Sequence, residues 1–221
     1  MLKRAIHWGA AVITVAAVTV GCAAPEYTYV KNAEQKTYFK VPHDWHQLPT
    51  GDLDDYLTGS NPNSASSAIR QRMWWSVAYD AAAIPDPVHL TTSDVTDEPI
   101  VYARVAQLTE PQQNAVSLDM LRDMFLPVTE DAREAQAANT QLTGFELLSD
   151  EVLTPSDGTH GVRVVYNYEI TGVMHTFDLT ALVNNTADRL YLLFIRCSTS
   201  CYRERTEQLD TIATSFTVRS K

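Results

Sequence analysis

The chain has 221 residues, of which 45% are hydrophobic and 20% are charged, with only 8 glycines and 10 prolines. This composition supplies a hydrophobic core for one domain and excludes a disordered or low-complexity protein. The formal net charge of −10 at pH 7 repels phosphate groups, which excludes nucleic acid as a partner and makes the chain a poor match for anionic lipid headgroups.

Residues 1–21 have the pattern of an export signal. Lys3 and Arg4 form a short positive region, and an apolar stretch follows from Ala5 to Val20. The stretch is shorter than the roughly 20 apolar residues that a bilayer-spanning helix needs, and its length and flanks are typical of a signal peptide. We therefore predict that residues 1–21 are removed during export.

The signal ends in Val18-Thr-Val-Gly-Cys22, which resembles the lipobox of bacterial lipoproteins. Gly21 is the small residue needed before the cut, and the thiol of Cys22 is the group that receives diacylglycerol. Thr19 departs from the aliphatic residue that is usual at its position. The resemblance implies a protein anchored to the outer face of the cell membrane, because two acyl chains anchor stably at about 0.8 kcal/mol per buried methylene. An uncleaved anchor helix and cleavage without lipidation are the alternatives.

The mature chain is predicted to consist of a tether and one domain. Residues 22–36 form the lipidated N-terminus and the tether, although Tyr27–Val30 alternates polar and apolar residues as a half-buried strand does. Residues 37–221 form the domain, which opens with a second alternating strand at Thr37–Val41.

The turn after Pro42 carries His43, Asp44 and His46, the tightest cluster of metal-ligand residue types in the chain. Two histidines three residues apart around an aspartate suit part of a metal site, such as that of an envelope hydrolase. A metal site needs a third and a fourth ligand, which the local sequence does not supply. A solvated turn with Trp45 packed inward is therefore the favoured interpretation.

Two adjacent tryptophans mark the next strand. Residues 51–67 are polar and predict a long loop, and residues 72–79 predict a strand. Adjacent side chains on a strand point to opposite faces, so we expect one tryptophan in the core. The other is either covered by a helix or loop, or exposed and able to stack on a ligand or partner. The candidate binding residues are Arg72, Trp74, Trp75 and Tyr79.

Short helices are predicted in the middle of the chain. A second loop spans residues 84–98, and Ile100–Ala106 predicts another strand. Ser117 is a typical N-cap for an amphipathic helix, and residues 131–139 predict a second short helix. The apolar side of the first helix is formed by Leu118, Leu121, Met124 and Phe125.

The last third of the chain predicts four antiparallel strands and a closing helix, with Gly158 and Gly172 in two of the turns. The segment Leu190–Arg196 is apolar almost throughout, which predicts a strand at the centre of the sheet. The predicted strands are 145–153, 162–170, 174–183 and 190–196, and the predicted helix is 200–213.

Cys197 and Cys201 are the other two of the 3 cysteines. In an exported protein two spare cysteines usually form a disulfide, and their spacing suits the junction of a strand with a helix. A metal site would need further ligands at matching spacing, and a redox pair normally has two intervening residues where this one has three. We therefore predict a structural disulfide between them.

Two stretches of the domain resemble the PsbP-like family. Thr37–Trp45 resembles the family's opening, in which an aromatic strand leads into Val-Pro-x-x-Trp, and Arg189–Val218 resembles its closing hairpin strand and helix. Actinobacterial lipoproteins of the LpqN type share this pattern, lipobox included. The resemblance implies an α+β fold with an antiparallel sheet packed between helices, an α/β/α sandwich. The best-studied members are accessory proteins, and no residue of this chain matches their known functional motifs.

No motif in the sequence indicates catalysis: it contains no Gly-rich phosphate loop, no His-Glu-x-x-His and no Gly-x-Ser-x-Gly. We therefore expect a protein that is not an enzyme and that has no cofactor. The leading hypothesis is a lipid-anchored module that binds another envelope protein or a small apolar molecule. The alternatives are an accessory subunit of a larger membrane complex, and a metal-dependent hydrolase that uses the turn after Pro42.

Overall fold

The computed structural model of the chain describes residues 25–49, 53, 73–91, 97–139 and 141–219. The predicted signal peptide, Cys22 and Arg72 lie outside these residues, as does most of the predicted loop at 51–67. None of the helices in the described ranges is long and apolar enough to cross a bilayer.

Ten short and long strands and a few short helices make up the described part of the chain. The strands are β1 (Tyr27–Asn32), β2 (Thr37–Pro42), β3 (His46–Gln47), β4 (Trp74–Asp80), β5 (Ile100–Gln107), β6 (Leu142–Leu153), β7 (Thr159–Ile170), β8 (Val173–Asn184), β9 (Arg189–Ser198) and β10 (Thr217–Val218). The helices are a 3-10 helix (Pro87–Leu90), α1 (Glu110–Ala115), α2 (Leu118–Arg122), α3 (Glu130–Ala135), α4 (Thr199–Glu204) and α5 (Thr206–Ser215).

The strands form two antiparallel sheets. The small sheet has the order β1-β2-β10, and the large sheet has the order β3-β4-β5-β9-β8-β7-β6. β9 is the middle strand of the large sheet, and nine of its ten residues are buried. The central position predicted from its apolar run is therefore confirmed.

A hydrophobic core lies on each face of the large sheet. One core lies between the large sheet and the small sheet with α5, where Leu209, Ile212 and Phe216 are buried as predicted. The other core is covered by the loop and helix segment around α2, with Tyr102 and Tyr166 at its centre. The described fold is thus α+β with the large sheet between two outer layers, which confirms the predicted fold class, and one outer layer includes a small sheet as well as helices.

β1 extends the folded domain into residues 22–36, the predicted tether. Each of its six residues pairs with β2, from Tyr27 opposite Pro42 to Asn32 opposite Thr37. Its Val30 is buried in the core between the sheets, as the polar and apolar alternation of this stretch requires. The described domain therefore overlaps the predicted tether at Tyr27–Asn32.

The helix predicted from Ser117 is shorter than its apolar pattern suggests. Ser117 caps the helix as predicted, but the helix ends at Arg122. The carboxylate of Asp123 accepts hydrogen bonds from two backbone N–H groups further along the chain, at 2.7 and 2.9 Å, and these turn the chain away from the helix axis. Phe125 nevertheless reaches the core, where its ring stacks on Phe194 with 4.0 Å between the centroids.

The predicted closing helix is divided into α4 and α5, which meet at Arg205. The Thr206 hydroxyl donates to the carbonyl oxygens of Tyr202 and Arg203, at 2.8 and 3.1 Å, and such side-chain bonds bend a helix. α1 lies outside the predicted elements, because none of its residues is buried and it has no apolar periodicity.

Candidate functional site

The outward side of the small sheet presents tyrosines and lysines to solvent. Side chains alternate along a strand, so the burial of Val30 and Phe39 places their neighbours on the opposite, outer face. Tyr29 is 76% exposed there. We call this surface the tyrosine face, and it consists of Tyr27, Tyr29, Lys31, Tyr38 and Lys40.

The lysines are paired with the tyrosines across the two strands. Tyr29 lies opposite Lys40, and Lys31 lies opposite Tyr38, in the antiparallel register of β1 and β2. The Lys40 ammonium lies 4.2 Å from the centroid of the Tyr27 ring, within the range of a cation–π contact. The tyrosine face thus carries two lysines on a chain whose net charge is negative, and the side chain of Glu26 bonds to Tyr27 at its edge.

A cavity of about 350 Å³ opens between β1 and β4, beside Trp75. Trp75 is half-buried and packs against the core between the two sheets. The hydroxyl of Tyr79 donates to Gln47 Oε1 at 3.2 Å, and burial raises the pKa of this phenol, so it stays protonated at neutral pH. We call this cavity the β1–β4 recess, and its side walls include Tyr29, Lys31, Gln47, Trp75, Val77 and Tyr79.

A second cavity, of about 170 Å³, lies on the other side of Tyr29, where Tyr38, Phe39 and the stems of Lys31 and Lys40 surround it. Cavities that enclose a whole small-molecule ligand usually measure about 300–1,000 Å³. The second cavity is smaller than that range and suits a single inserted side chain. Tyr29 thus stands exposed between two depressions, an arrangement that fits the side chains of a protein partner.

The two adjacent tryptophans have different surroundings. Trp75 lines the β1–β4 recess, whereas Trp74 lies on the opposite face of the strand, with the Arg104 guanidinium 4.3 Å from its ring centroid. Both side chains are half-buried: Trp75 packs against the core between the two sheets, and Trp74 is neither fully covered nor fully exposed. Tyr79 is only 7% exposed and forms the recess wall, and Arg72 lies outside the described residues.

The turn after Pro42 gives no support to a metal centre. His43, Asp44 and His46 are exposed, and His43 Nδ1 lies 3.2 Å from the Thr28 hydroxyl. Within the described ranges, no three or more His, Cys, Asp or Glu side chains are grouped closely enough to hold a metal ion. Trp45 is buried, as the solvated-turn interpretation predicts.

Cys197 and Cys201 form a disulfide, with 5.9 Å between their α-carbons. The bond joins the end of β9 to the first turn of α4, and both side chains are buried. Ser198 caps α4 with its hydroxyl, which accepts a hydrogen bond from the Cys201 backbone N–H at 3.2 Å. The disulfide therefore fastens a helix terminus to the central strand.

The exposed tyrosines were not among the candidate residues from the sequence. The alternation at Tyr27–Val30 and Thr37–Val41 contains the necessary signal, because it assigns tyrosine and lysine to the same, outer side. What the sequence lacks is the contact between β1 and β4, which brings Tyr29 beside Trp75.

No family model matches the sequence, and no curated protein is similar to it in sequence. Cyanobacterial PsbP (CyanoP) from Synechocystis sp. PCC 6803 has a similar structure, with a TM-score of 0.51 at 12% identity over 90% of this chain and 95% of CyanoP. LpqN, involved in cell envelope biogenesis of Mycobacterium tuberculosis, has a TM-score of 0.46 at 16% identity over 87% of this chain and 90% of LpqN. The Saccharomyces cerevisiae Ran-binding protein Mog1p has a TM-score of 0.44 at 7% identity, over 88% of this chain and 96% of Mog1p.

The likeness to CyanoP shows that the chain has the PsbP-like fold. The resemblance inferred from Thr37–Trp45 and Arg189–Val218 is therefore confirmed at the level of the fold.

Proposed function

We propose that this chain is a lipid-anchored protein of the cell envelope that binds another envelope protein and catalyses no reaction. The observation that carries the proposal is the position of Tyr29, a largely exposed aromatic side chain between the β1–β4 recess and the smaller cavity. Tyrosine and tryptophan are enriched in protein interfaces, and side chains that fill such depressions contribute much of the binding energy.

The charge of the tyrosine face favours an acidic partner. Lys31 and Lys40 flank Tyr29, and the Arg219 guanidinium lies 5.0 Å from the ring centroid of Tyr38. Complementary charge increases the rate of association and selects between partners. We infer a partner segment that carries apolar anchor side chains next to aspartate or glutamate.

The anchor and the site are close together in the chain. Cys22 precedes Tyr27, the first residue of β1, by five residues, which span at most about 18 Å when fully extended. A lipid on Cys22 would therefore hold the tyrosine face near the membrane surface, so the expected partner is a membrane protein or another anchored protein. The disulfide supports export, since such bonds persist mainly in oxidising compartments.

A small apolar ligand is the weaker alternative. The β1–β4 recess is near the lower end of the usual ligand range, and polar groups of Gln47 and Tyr79 form part of its wall. An accessory subunit of a membrane complex is a form of the protein-binding proposal, and it predicts that the chain migrates with a large assembly on native gels.

The test has two parts. The intact mass of protein purified from its host's membranes should show the loss of residues 1–21 and an added diacylglycerol, and a full-length unlipidated mass would disprove the anchor. Pull-down from the membrane fraction should then recover a reproducible partner with the unaltered chain and lose it with Tyr29→Ser. The matched control is Val152→Ser, because Val152 is also an exposed apolar residue and lies on β6, at the opposite edge of the large sheet.

A further inference from the structure

A third and larger cavity lies at the opposite end of the small sheet from Tyr27. It measures about 610 Å³, and it lies between the β1–β2 turn, the β6–β7 turn, the β8–β9 turn and the residues that follow β10. Its volume is within the range of small-molecule sites. This cavity does not include Tyr29, and the inference drawn from it stands apart from the proposed function, although Arg219 contributes to both surfaces.

Three cationic side chains line the cavity, and hydrogen bonds hold all three near one turn. Lys36 adopts a left-handed backbone conformation with a φ of 54°, and its carbonyl oxygen accepts the Arg219 backbone N–H at 2.9 Å. Arg189 Nη1 donates to the side-chain oxygen of Gln35, the preceding residue, at 2.8 Å. Lys36 and Arg219 are thus joined through their backbones, Arg189 lies beside them through Gln35, and the Arg219 guanidinium also lies 5.0 Å from the Tyr38 ring centroid.

The two carboxylates of the cavity accept hydrogen bonds from other residues of its lining. Asp157 accepts the backbone N–H and the hydroxyl of Thr159, at 2.9 and 2.6 Å, and Asp188 accepts the Asn184 amide. Among the described residues, no ion pair joins the three cations to a carboxylate. The cavity is therefore lined by two acidic and three basic side chains, an excess of one positive charge.

The opposite wall is rich in amide and hydroxyl groups. At Gly158, whose φ is 82°, an added Cβ would lie 3.2 Å from the Asn185 side-chain nitrogen, so the β6–β7 and β8–β9 turns are in close contact. Ser156 and Thr186 add hydroxyl groups to this wall. The floor includes Tyr191, which is buried and hydrogen-bonded to Arg189, and burial raises the pKa of its phenol.

We infer that this cavity binds a small hydroxylated anion, a sugar that carries a carboxylate or a phosphate. The guanidinium groups of Arg189 and Arg219 and the ammonium of Lys36 suit either anionic group, since charge-assisted hydrogen bonds to oxyanions are the strong ones. The amide and hydroxyl groups of the opposite wall suit the hydroxyls of the sugar.

The inference is tested by calorimetric titration of the full mature chain, solubilised from membranes in detergent. The probes are glucuronate and glucose 6-phosphate, with glucose as the uncharged comparison. At least one charged sugar should bind saturably and more weakly at high salt, and glucose should bind at least about tenfold more weakly, since an exposed ionic contact is screened and a lost one costs at least about 1.4 kcal/mol. Equal binding of glucose, or no saturable binding of either charged sugar, would overturn the inference.

Charge-removing variants locate the site. Arg189→Gln, Arg219→Gln and Lys36→Asn should each weaken binding by about tenfold, and asparagine is chosen at position 36 because it tolerates the left-handed conformation. Arg203→Gln is the matched control, because Arg203 is exposed on α4 and bonds only to its own helix. Thermal unfolding checks that each variant is folded. Two results would contradict the location of the site in this cavity. One is that the Arg203 control loses as much binding as the cavity variants, and the other is that all three cavity variants bind as the unaltered chain does.

Discussion

Arg163 of β7 and Asp178 of β8 form a two-point ion pair, with distances of 3.1 Å from Nε to Oδ1 and 2.8 Å from Nη2 to Oδ2. Asp178 is almost completely buried and also accepts the hydroxyl of Tyr202 at 2.9 Å. Removing one partner of a buried pair typically costs 3–5 kcal/mol, and removing Asp178 leaves Arg163 with the largely exposed Asp210 as its partner. We predict that Asp178→Ala lowers the free energy of unfolding by about 3 kcal/mol or more, as measured by urea denaturation.

Asp210 provides the matched control for this prediction. It accepts the remaining guanidinium nitrogen of Arg163 at 2.9 Å, but its side chain is 55% exposed. Exposed pairs contribute about 0–1 kcal/mol. Asp210→Ala should therefore change the free energy of unfolding by less than about 1 kcal/mol. Equal effects of the two substitutions would contradict the inference that the burial of Asp178 makes its ion pair costly to break.

Stability should decrease in mildly acidic solution because of His175. Burial, together with the nearby charge of Arg196, lowers the pKa of this histidine to about 4, against smaller opposing effects of the Cys197 backbone and of Asp97. The unfolded chain binds a proton near pH 6.5 that the folded chain takes up only near pH 4. The free energy of unfolding therefore includes the full contribution of uncharged His175 above pH 6.5. This contribution, about 3 kcal/mol in total, is lost as the pH falls to 4.

Carboxylates also take up protons in this pH range, so a substitution is needed to separate the effect of His175 on stability from theirs. In His175→Phe, the free energy of unfolding should depend less on pH between 6.5 and 4 than in the unaltered chain. His43→Gln, which removes an exposed histidine, is the matched control. Identical pH profiles for all three proteins, measured by urea denaturation, would show that His175 does not titrate as described.

The disulfide should contribute a modest and measurable stability. Cys197 and Cys201 close a short loop, for which the chain-entropy model gives about 2 kcal/mol. The double substitution Cys197→Ser with Cys201→Ser should lower the free energy of unfolding by about that amount. Adding a reductant should destabilise the unaltered chain and leave the double variant unaffected, and a reductant effect on both would point to another cause.

The two faces of the small sheet should differ sharply in their effect on stability. Phe39 is buried and meets Phe216 edge to face at 6.3 Å between centroids, so Phe39→Ala should cost about 3–5 kcal/mol. Tyr29→Ser should change the free energy of unfolding by less than about 0.5 kcal/mol, because the side chain is mostly in solvent. A large loss of stability in Tyr29→Ser would make its binding defect uninformative and would contradict the proposed role.

The strands and the core were predictable because they depend on local alternation. Leu190–Arg196 is apolar almost without interruption, and a strand with that composition is stable only where both of its faces are buried. The apolar period of the closing helix likewise assigns Leu209 and Ile212 to the core. The break at Arg205 was not predictable in this way, since it accompanies a hydroxyl that bonds to backbone carbonyl groups.

The candidate site was only partly predictable. Trp75 and Tyr79 follow from the composition of one strand, but the recess also needs β1, which is far away in the sequence. Trp74 is an equally good candidate in the sequence, and only the tertiary contact with Arg104 distinguishes it from Trp75. The cavity lined by Lys36, Arg189 and Arg219 is formed by three turns and the residues after β10. These segments are far apart in the sequence, so no local pattern predicts that they meet.

The central claim is that Tyr29 lies at the contact with an envelope protein, and photo-cross-linking in intact cells tests it most directly. A photoreactive phenylalanine analogue is placed at position 29 of the full chain, and at position 152 as the matched exposed control. The account predicts a discrete, reproducible cross-linked protein from position 29 that position 152 does not give. No product from position 29, or the same products from both positions, would contradict the account.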